Sequence, residues 1–290
     1  MPTLKEIKGR IGSVKSTLKI TSAMKLVSSA KLRKAQKATE AMRPYEAQLQ
    51  RMLAAVDGGR DSLSSASLRD PVRANAEESG SLPPGAKAIV AIASNSSLCG
   101  GFNANAIAKV RSVRKEGDVV YSIGRKMSEA MKKDGFSSPE DFSALAEHPE
   151  YAPAAALVDE LMKGMQEGLY SDVLLVYNHF VSTAHQTPVT ERLLDLESHS
   201  EQSEESSDII IEPSASALRE ILLPKLLKLK LYAALLDSAA AEHAARTVAM
   251  QTATDNGENL LQELTLQYNK GRQQKITAEI LDLAGGQSQE

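Results

Sequence analysis

The sequence predicts a small α/β domain set between two long helices that pair with each other as an antiparallel, left-handed coiled coil. Three observations predict it. Both ends carry apolar residues at alternating steps of four and three, whereas the middle alternates short apolar runs with helical stretches. Bulky rings are scarce: aromatics make up 4% of 290 residues and Trp is absent. That composition suits slim helices with a thin aliphatic core.

Residues 1–57 read as one helix. Ile7, Ile11, Val14 and Leu18 form a heptad seam, which continues more weakly through Thr21, Met24 or Lys25, and Ser28. Gly9, Gly12 and Pro44 are the interruptions, and Pro44 predicts a bend. Residues 1–39 hold eight Lys and two Arg against the single acid Glu6, a balance of +9, while the whole chain is −3 and the remainder therefore about −12. Such asymmetry predicts that the N-terminal segment meets an acidic surface. Its most basic stretch, ITSAMKLVSSAKLRKAQ (20–36), has no acid, and its large apolar groups are Ile20, Met24, Leu26, Val27 and Leu32.

Residues 58–85 are rich in Ser, Gly, Pro and charge and read as a linker or surface loop. Residues 86–196 read as the α/β domain. AIVAIA (88–93) is a continuous apolar run, as a buried parallel strand requires. A Gly-containing turn and a helix follow, then the strand VVYSIG (119–124) and the helix RKMSEAMKK. PAAALVDELMKGMQEGL supplies a further helix, VLLVYNHFVS (173–182) a third strand, and TPVTERLLDL an edge strand after Pro188. The acidic, Ser-rich residues 197–208 read as an exposed loop, and residues 287–290 as a tail.

Residues 209–286 read as the second long helix, starting near Pro213 and Ser214. From Leu222 through Leu226, Leu229, Ala233, Leu236, Ala240, His243, Thr247, Met250, Thr254, Gly257, Leu261 and Leu264 to Tyr268 the steps of four and three are unbroken. Beyond Pro224 such a helix would be on the order of 90 Å long and must protrude from a globular domain.

Motifs for chemistry are weak. Asn95 to Asn105 (NSSLCGGFNAN) follows a strand and opens a helix, where anion loops sit, but its spacing fits neither phosphate-loop template. It reads as a tight structural turn. Cys99, the only cysteine, excludes an internal disulfide and reads as a buried residue. His148, His179, His185, His199 and His243 have no metal-ligand spacing. His179 and His185 read as surface residues and His243 as an interhelical one. No run of about 18 apolar residues spans a bilayer. The basic helix alone leaves open a coiled-coil strand, a nucleic-acid-binding arm and a transit peptide.

Two terminal segments carry a resemblance. LKEIKGRIGSVKSTLK with ITSAMKLVSSAKLRKAQ, and AARTVAMQTATDNGENLLQELTLQYNKGRQQKITAEILDLAGG, resemble the N- and C-terminal signatures of the gamma subunit of the rotary, F-type ATP synthase. LCGGFN, SIGRK and YNHFVSTAHQTPVTERLLDL resemble segments of that family's central domain. Asn95, Ser96 and Ser97 stand where the family has a charged turn, and Thr247 where it has Met.

The resemblance implies a Rossmann-like central domain and a noncatalytic rotor: a central stalk without active site, cofactor or metal. It couples ion-driven rotation of a c-ring to conformational change at the catalytic sites of the beta subunits. Implied partners are the alpha and beta subunits of the head, the epsilon subunit and the c-ring, with neither nucleic acid nor direct membrane insertion. Implied contacts with the head are Met24, Lys25, Lys31, Arg33, Arg246, Arg272, Gln273 and Thr277. The implied place is peripheral, on the cytoplasmic face of a bacterial inner (plasma) membrane. Read without the resemblance, the alternative is a coiled-coil adaptor or a nucleic-acid-associated protein with a basic arm.

Overall fold

A computed structural model describes residues 3–58, 85–136, 138–194 and 214–286. The elements run α1 (Leu4–Gly58), β1 (Lys87–Ile92), α2 (Phe102–Val113), β2 (Val119–Ile123), α3 (Arg125–Lys133), α4 (Ser143–Glu147), α5 (Tyr151–Gln166), β3 (Asp172–Phe180), β4 (Gln186–Arg192) and α6 (Ala215–Gly286). The linker expected at 58–85 and the acidic loop at 197–208 lie almost wholly or wholly outside the described residues. The chain forms two compact units, one from the chain up to Ser29 together with the chain from Arg246, the other from Ala30–Ala245.

The starts of both long helices are set locally. Thr3 and Glu6 make a reciprocal capping box: the Thr3 N–H donates to Glu6 Oε2 at 2.9 Å and the Glu6 N–H to Thr3 Oγ1 at 3.3 Å. Ser214 Oγ accepts from the Ala217 N–H at 3.3 Å, capping α6. Both helices continue through their prolines, Pro44 and Pro224.

In the larger unit the sheet order is β2-β1-β3-β4, with β1 parallel to β2 and β3, and β4 antiparallel to β3. The alternation along β1 builds two cores. Ala88, Val90 and Ile92 face Leu157, Val158 and Leu161 of α5 and Leu227, Leu231 and Leu235 of α6. Ile89, Ala91 and Ala93 face Ala106 and Val110 of α2 and Met127 and Met131 of α3. A strand buried on both faces explains why 88–93 is apolar without alternation. Pro188 sits in β4 at the sheet edge, where a missing N–H is tolerated. α4 is a five-residue helix that the sequence reading did not anticipate.

Within the same unit, α1 and α6 share a seam. Leu32 and Ala35 pack with Ala240 and Ala244. Met42, Leu49, Leu53 and Val56 pack with Leu222, Leu226, Leu229 and Leu236. Each fully buried Leu contributes about 1.5–3 kcal/mol.

Candidate functional site

The smaller unit pairs the first 26 residues of α1 with the last 41 of α6. Three contacts define its register. Thr254 Oγ1 lies 3.0 Å from Thr21 Oγ1. A Cβ on Gly257 would lie 2.7 Å from Leu18 Cδ2, and one on Gly271 would lie 3.1 Å from Leu4 Cδ2. The two numbers of every pair add to 275, so the helices run antiparallel without slippage. The same rule sets Ile7 opposite Tyr268, Ile11 opposite Leu264 and Val14 opposite Leu261, all buried or half-buried. These are the seam residues read from the sequence. Gly257 is a socket rather than a flexible point: the absent side chain makes room for the Leu18 tip.

The rest of the helix surface is open. Ile20, Leu26 and Val27, close together on α1, are 60%, 70% and 58% exposed, and apolar groups clustered on a surface mark interaction sites. On α6, Leu260, Leu266, Ile276, Ile280 and Leu281 are exposed as well. A shallow groove lined by Gly9, Arg10, Ser13, Val14, Leu260 and Leu264 runs beside the seam.

Of the residues expected to touch partners, Lys31, Arg33, Arg272, Gln273 and Thr277 are exposed, Met24 and Lys25 are half-buried, and Arg246 is buried. Thr277 Oγ1 donates to the Gln273 carbonyl at 2.9 Å along the helix.

The turn after β1 is held by its own side chains. Asn103 Oδ1 accepts from the Ser94 N–H at 3.0 Å and from Ser94 Oγ at 2.9 Å. Asn95 accepts from the Arg125 N–H at 2.8 Å and donates to the Ser143 carbonyl at 2.8 Å, tying β1 to α3 and α4. Leu98 takes φ +66°, and Gly124 takes φ +97° with the Ala93 carbonyl pressed against it. In doubly wound sheets ligands enter outside the C-terminal strand ends. In this chain Cys99, Phe102, Ala241 and Ala245 form a buried apolar cluster with Phe180 packed against them, while beyond the ends of β1 and β2 an open cleft is lined by Asn95, Ser96, Arg125, Ser128, Lys132 and Glu140. Among the described residues, no group of three His, Cys, Asp or Glu could hold a metal ion.

His179, read from the sequence as a surface residue, has a partner that spacing could not reveal. Its Nδ1 lies 2.6 Å from Asp237 Oδ2 on α6, and the Phe180 N–H donates to the same carboxylate at 3.3 and 3.4 Å. Burial pushes the Asp237 carboxyl above the ordinary carboxylate value, against the opposing pull of His179 and the Phe180 amide. Nearby, Tyr177 donates to Glu191 at 2.9 Å, and burial pushes its phenol up.

Among the described residues, no helix is long and apolar enough to cross a membrane. Comparison with known proteins gives the lineage. The profile of the family described as ATP synthase matches residues 3–288. The ATP synthase gamma chain of Phocaeicola vulgatus is 47% identical, over 99% of this chain and 99% of its own length. That of Pelotomaculum thermopropionicum is 37% identical over 99% and 98%. Among solved structures, a chain of the Euglena gracilis mitochondrial ATP synthase (OSCP/F1/c-ring) shares the fold. Its TM-score is 0.66 at 20% identity, covering 98% of this chain and 93% of that one. A chain of the rotor of the same organism's enzyme gives 0.60 at 19% identity, over 94% and 98%. The chain belongs to the family of ATP synthase gamma chains.

Proposed function

We propose that this chain is the noncatalytic rotor of an F-type ATP synthase, turning inside a head of alpha and beta subunits and joined below to an epsilon subunit and a c-ring. One observation supports the mechanical reading most directly. The two chain ends pair in one antiparallel register through small residues, leaving a slim pair whose basic and apolar outer faces are uncovered. Such a pair fits a narrow bore. Its Lys and Arg face acidic loops through attractions that salt screens over about 8–10 Å, which guide without locking.

Coupling follows from differential contact. Each orientation of an asymmetric shaft touches the three catalytic sites differently and so stabilises a different conformation at each. Moving one site from 1:99 to 99:1 requires about 5.5 kcal/mol of contact difference. Met24, Lys25, Lys31, Arg33, Arg246, Arg272, Gln273 and Thr277 are the residues to which these contacts are assigned. The complex sits on the cytoplasmic face of a bacterial inner membrane, and the chain binds no nucleotide of its own.

The test is reconstitution with the alpha and beta chains of the same organism. A stoichiometric complex whose ATP hydrolysis turns a bead fixed to this chain is the expected result. A chain that ignores alpha and beta but binds duplex DNA with a steep salt dependence would overturn the reading.

A further inference from the structure

The polar ties between α6 and the α/β domain within Ala30–Ala245 are unequal. Lys228 Nζ reaches Asp159 of α5 at 2.7 Å, and Lys230 Nζ reaches the Arg192 carbonyl of β4 at 2.7 Å. The Lys228–Asp159 pair has a carboxylate that is 59% exposed, and ion pairs of that kind hold little. The tie at Asp237 differs in burial and in valence. Asp237 is 18% exposed and is held at once by the His179 ring and the Phe180 amide, the last two residues of β3.

The surroundings of this tie are smooth. Phe180 packs against Leu32 and Ala35 of α1, Ala240 and Ala244 of α6, and the Cys99, Phe102, Ala241 and Ala245 cluster. Apolar contact with alanine surfaces opposes separation but is non-directional, so it resists sliding weakly. The carboxylate clamp adds directional resistance at this level.

The clamp is also costly. Burial and the neighbouring Glu191 both disfavour an ionised Asp237, and His179 offsets this only in part. Asparagine would accept from the Phe180 amide without that cost. A buried charge that does not serve stability is a candidate for specifying geometry.

We infer that the His179–Asp237 pair, with the Phe180 amide, is a torque lock: a positioning device that fixes the end of β3 to α6 so that the α/β domain and the C-terminal helix turn as one body. The inference rests on the rotor reading above. The groups facing the clamp are His179 and Tyr177 of β3 and Glu191 of β4, with Glu46 of α1 acting on Tyr177.

The test uses the full membrane complex in sealed vesicles. ATP hydrolysis and ATP-driven proton uptake are measured side by side for the wild type, Asp237→Asn, His179→Gln, the double variant, and His179→Lys. The expected result is that Asp237→Asn and His179→Gln each assemble and hydrolyse ATP normally, with a melting temperature of the free chain equal to or above that of the wild type. Proton uptake per ATP hydrolysed falls at least about threefold in each, no further in the double variant, and recovers in His179→Lys. An unchanged ratio in the single variants, or losses that multiply in the double variant, would overturn the torque lock while leaving the rotor reading intact. A wild-type chain that does not assemble with alpha and beta would overturn both.

Discussion

Replacing Gly257 by alanine separates two opposing effects that the helix pair brings to one position. In an exposed helix interior the change gains about 1 kcal/mol of helix propensity. At Gly257 the new Cβ would meet Leu18 Cδ2 at 2.7 Å and Cγ at 3.3 Å. Both the tip and the branch carbon must move, an overpacking cost of about 1–3 kcal/mol. The balance is a loss of roughly 0–2 kcal/mol. The same helices supply the controls: Gly9 and Gly12 have nothing within 4 Å of a new Cβ, so alanine there gains up to about 1 kcal/mol each. Urea unfolding of the free chain reads all three, and a Leu18→Ala background relieves the Gly257→Ala collision and returns about 1 kcal/mol of it. If Gly257→Ala stabilises as much as Gly9→Ala and Gly12→Ala, and adds simply to Leu18→Ala, Gly257 is not a socket and the register drawn from it fails.

Gly124→Ala places a Cβ against the Ala93 backbone carbonyl at a φ of +97°; backbone cannot yield as a side chain does, and a loss of more than about 3 kcal/mol is expected in thermal unfolding. Asp237→Asn tests a sign. The folded-state pKa lies above the ordinary 3.8, so the wild-type contribution is fully present below the unfolded value and is lost as pH rises through the folded one. The asparagine variant is therefore the more stable above that window, and a urea midpoint measured against pH shows the gap opening upward. Replacing exposed Lys31 and Arg33 with Glu is expected to move free-chain stability by no more than about 0.5 kcal/mol while weakening coupling in the complex; an equal loss in both assays counts against a head contact.

The long helices were legible because their seam is periodic: Ile7, Ile11, Val14 and Leu18 on one side, and Gly257, Leu261, Leu264 and Tyr268 on the other, are the residues the register pairs. β1 was legible because burial on both faces leaves a continuous apolar run, and β4 survived Pro188 because it is an edge. What escaped depends on partners far away in sequence. The Leu18 socket at Gly257 is invisible in either helix alone. Asp237 and His179 lie 58 positions apart, and nothing local marks either. Asn95 reads as a turn residue, yet its carboxamide reaches α3 and α4. α4 is too short to establish a period.

The burial pattern along α6 carries a further consequence. Within Ala30–Ala245 the helix buries Leu226, Leu227, Leu229, Leu231, Ala234, Leu235 and Leu236, apolar groups on several faces, as a helix inside a domain does. From Arg246 to Leu281 the buried residues are Arg246, Met250 and Leu264, and between Leu4 and Ser29 they are Ile7, Thr21 and Ser28. One narrow seam with so few buried apolar groups cannot hold two helices as firmly as a layered core, because most stability of a helix in a protein comes from packing one face. Binding of a partner that recognises only the paired form adds the missing free energy by mass action. Amides of 250–264 in the free chain should therefore exchange with solvent at least about tenfold faster than those of β1 and β3, and should slow once the alpha and beta chains are added. Core-like protection of 250–264 in the free chain would mean that the pair is held by its own seam, and that the exposed Ile20, Leu26 and Val27 contribute nothing to its ordering on assembly.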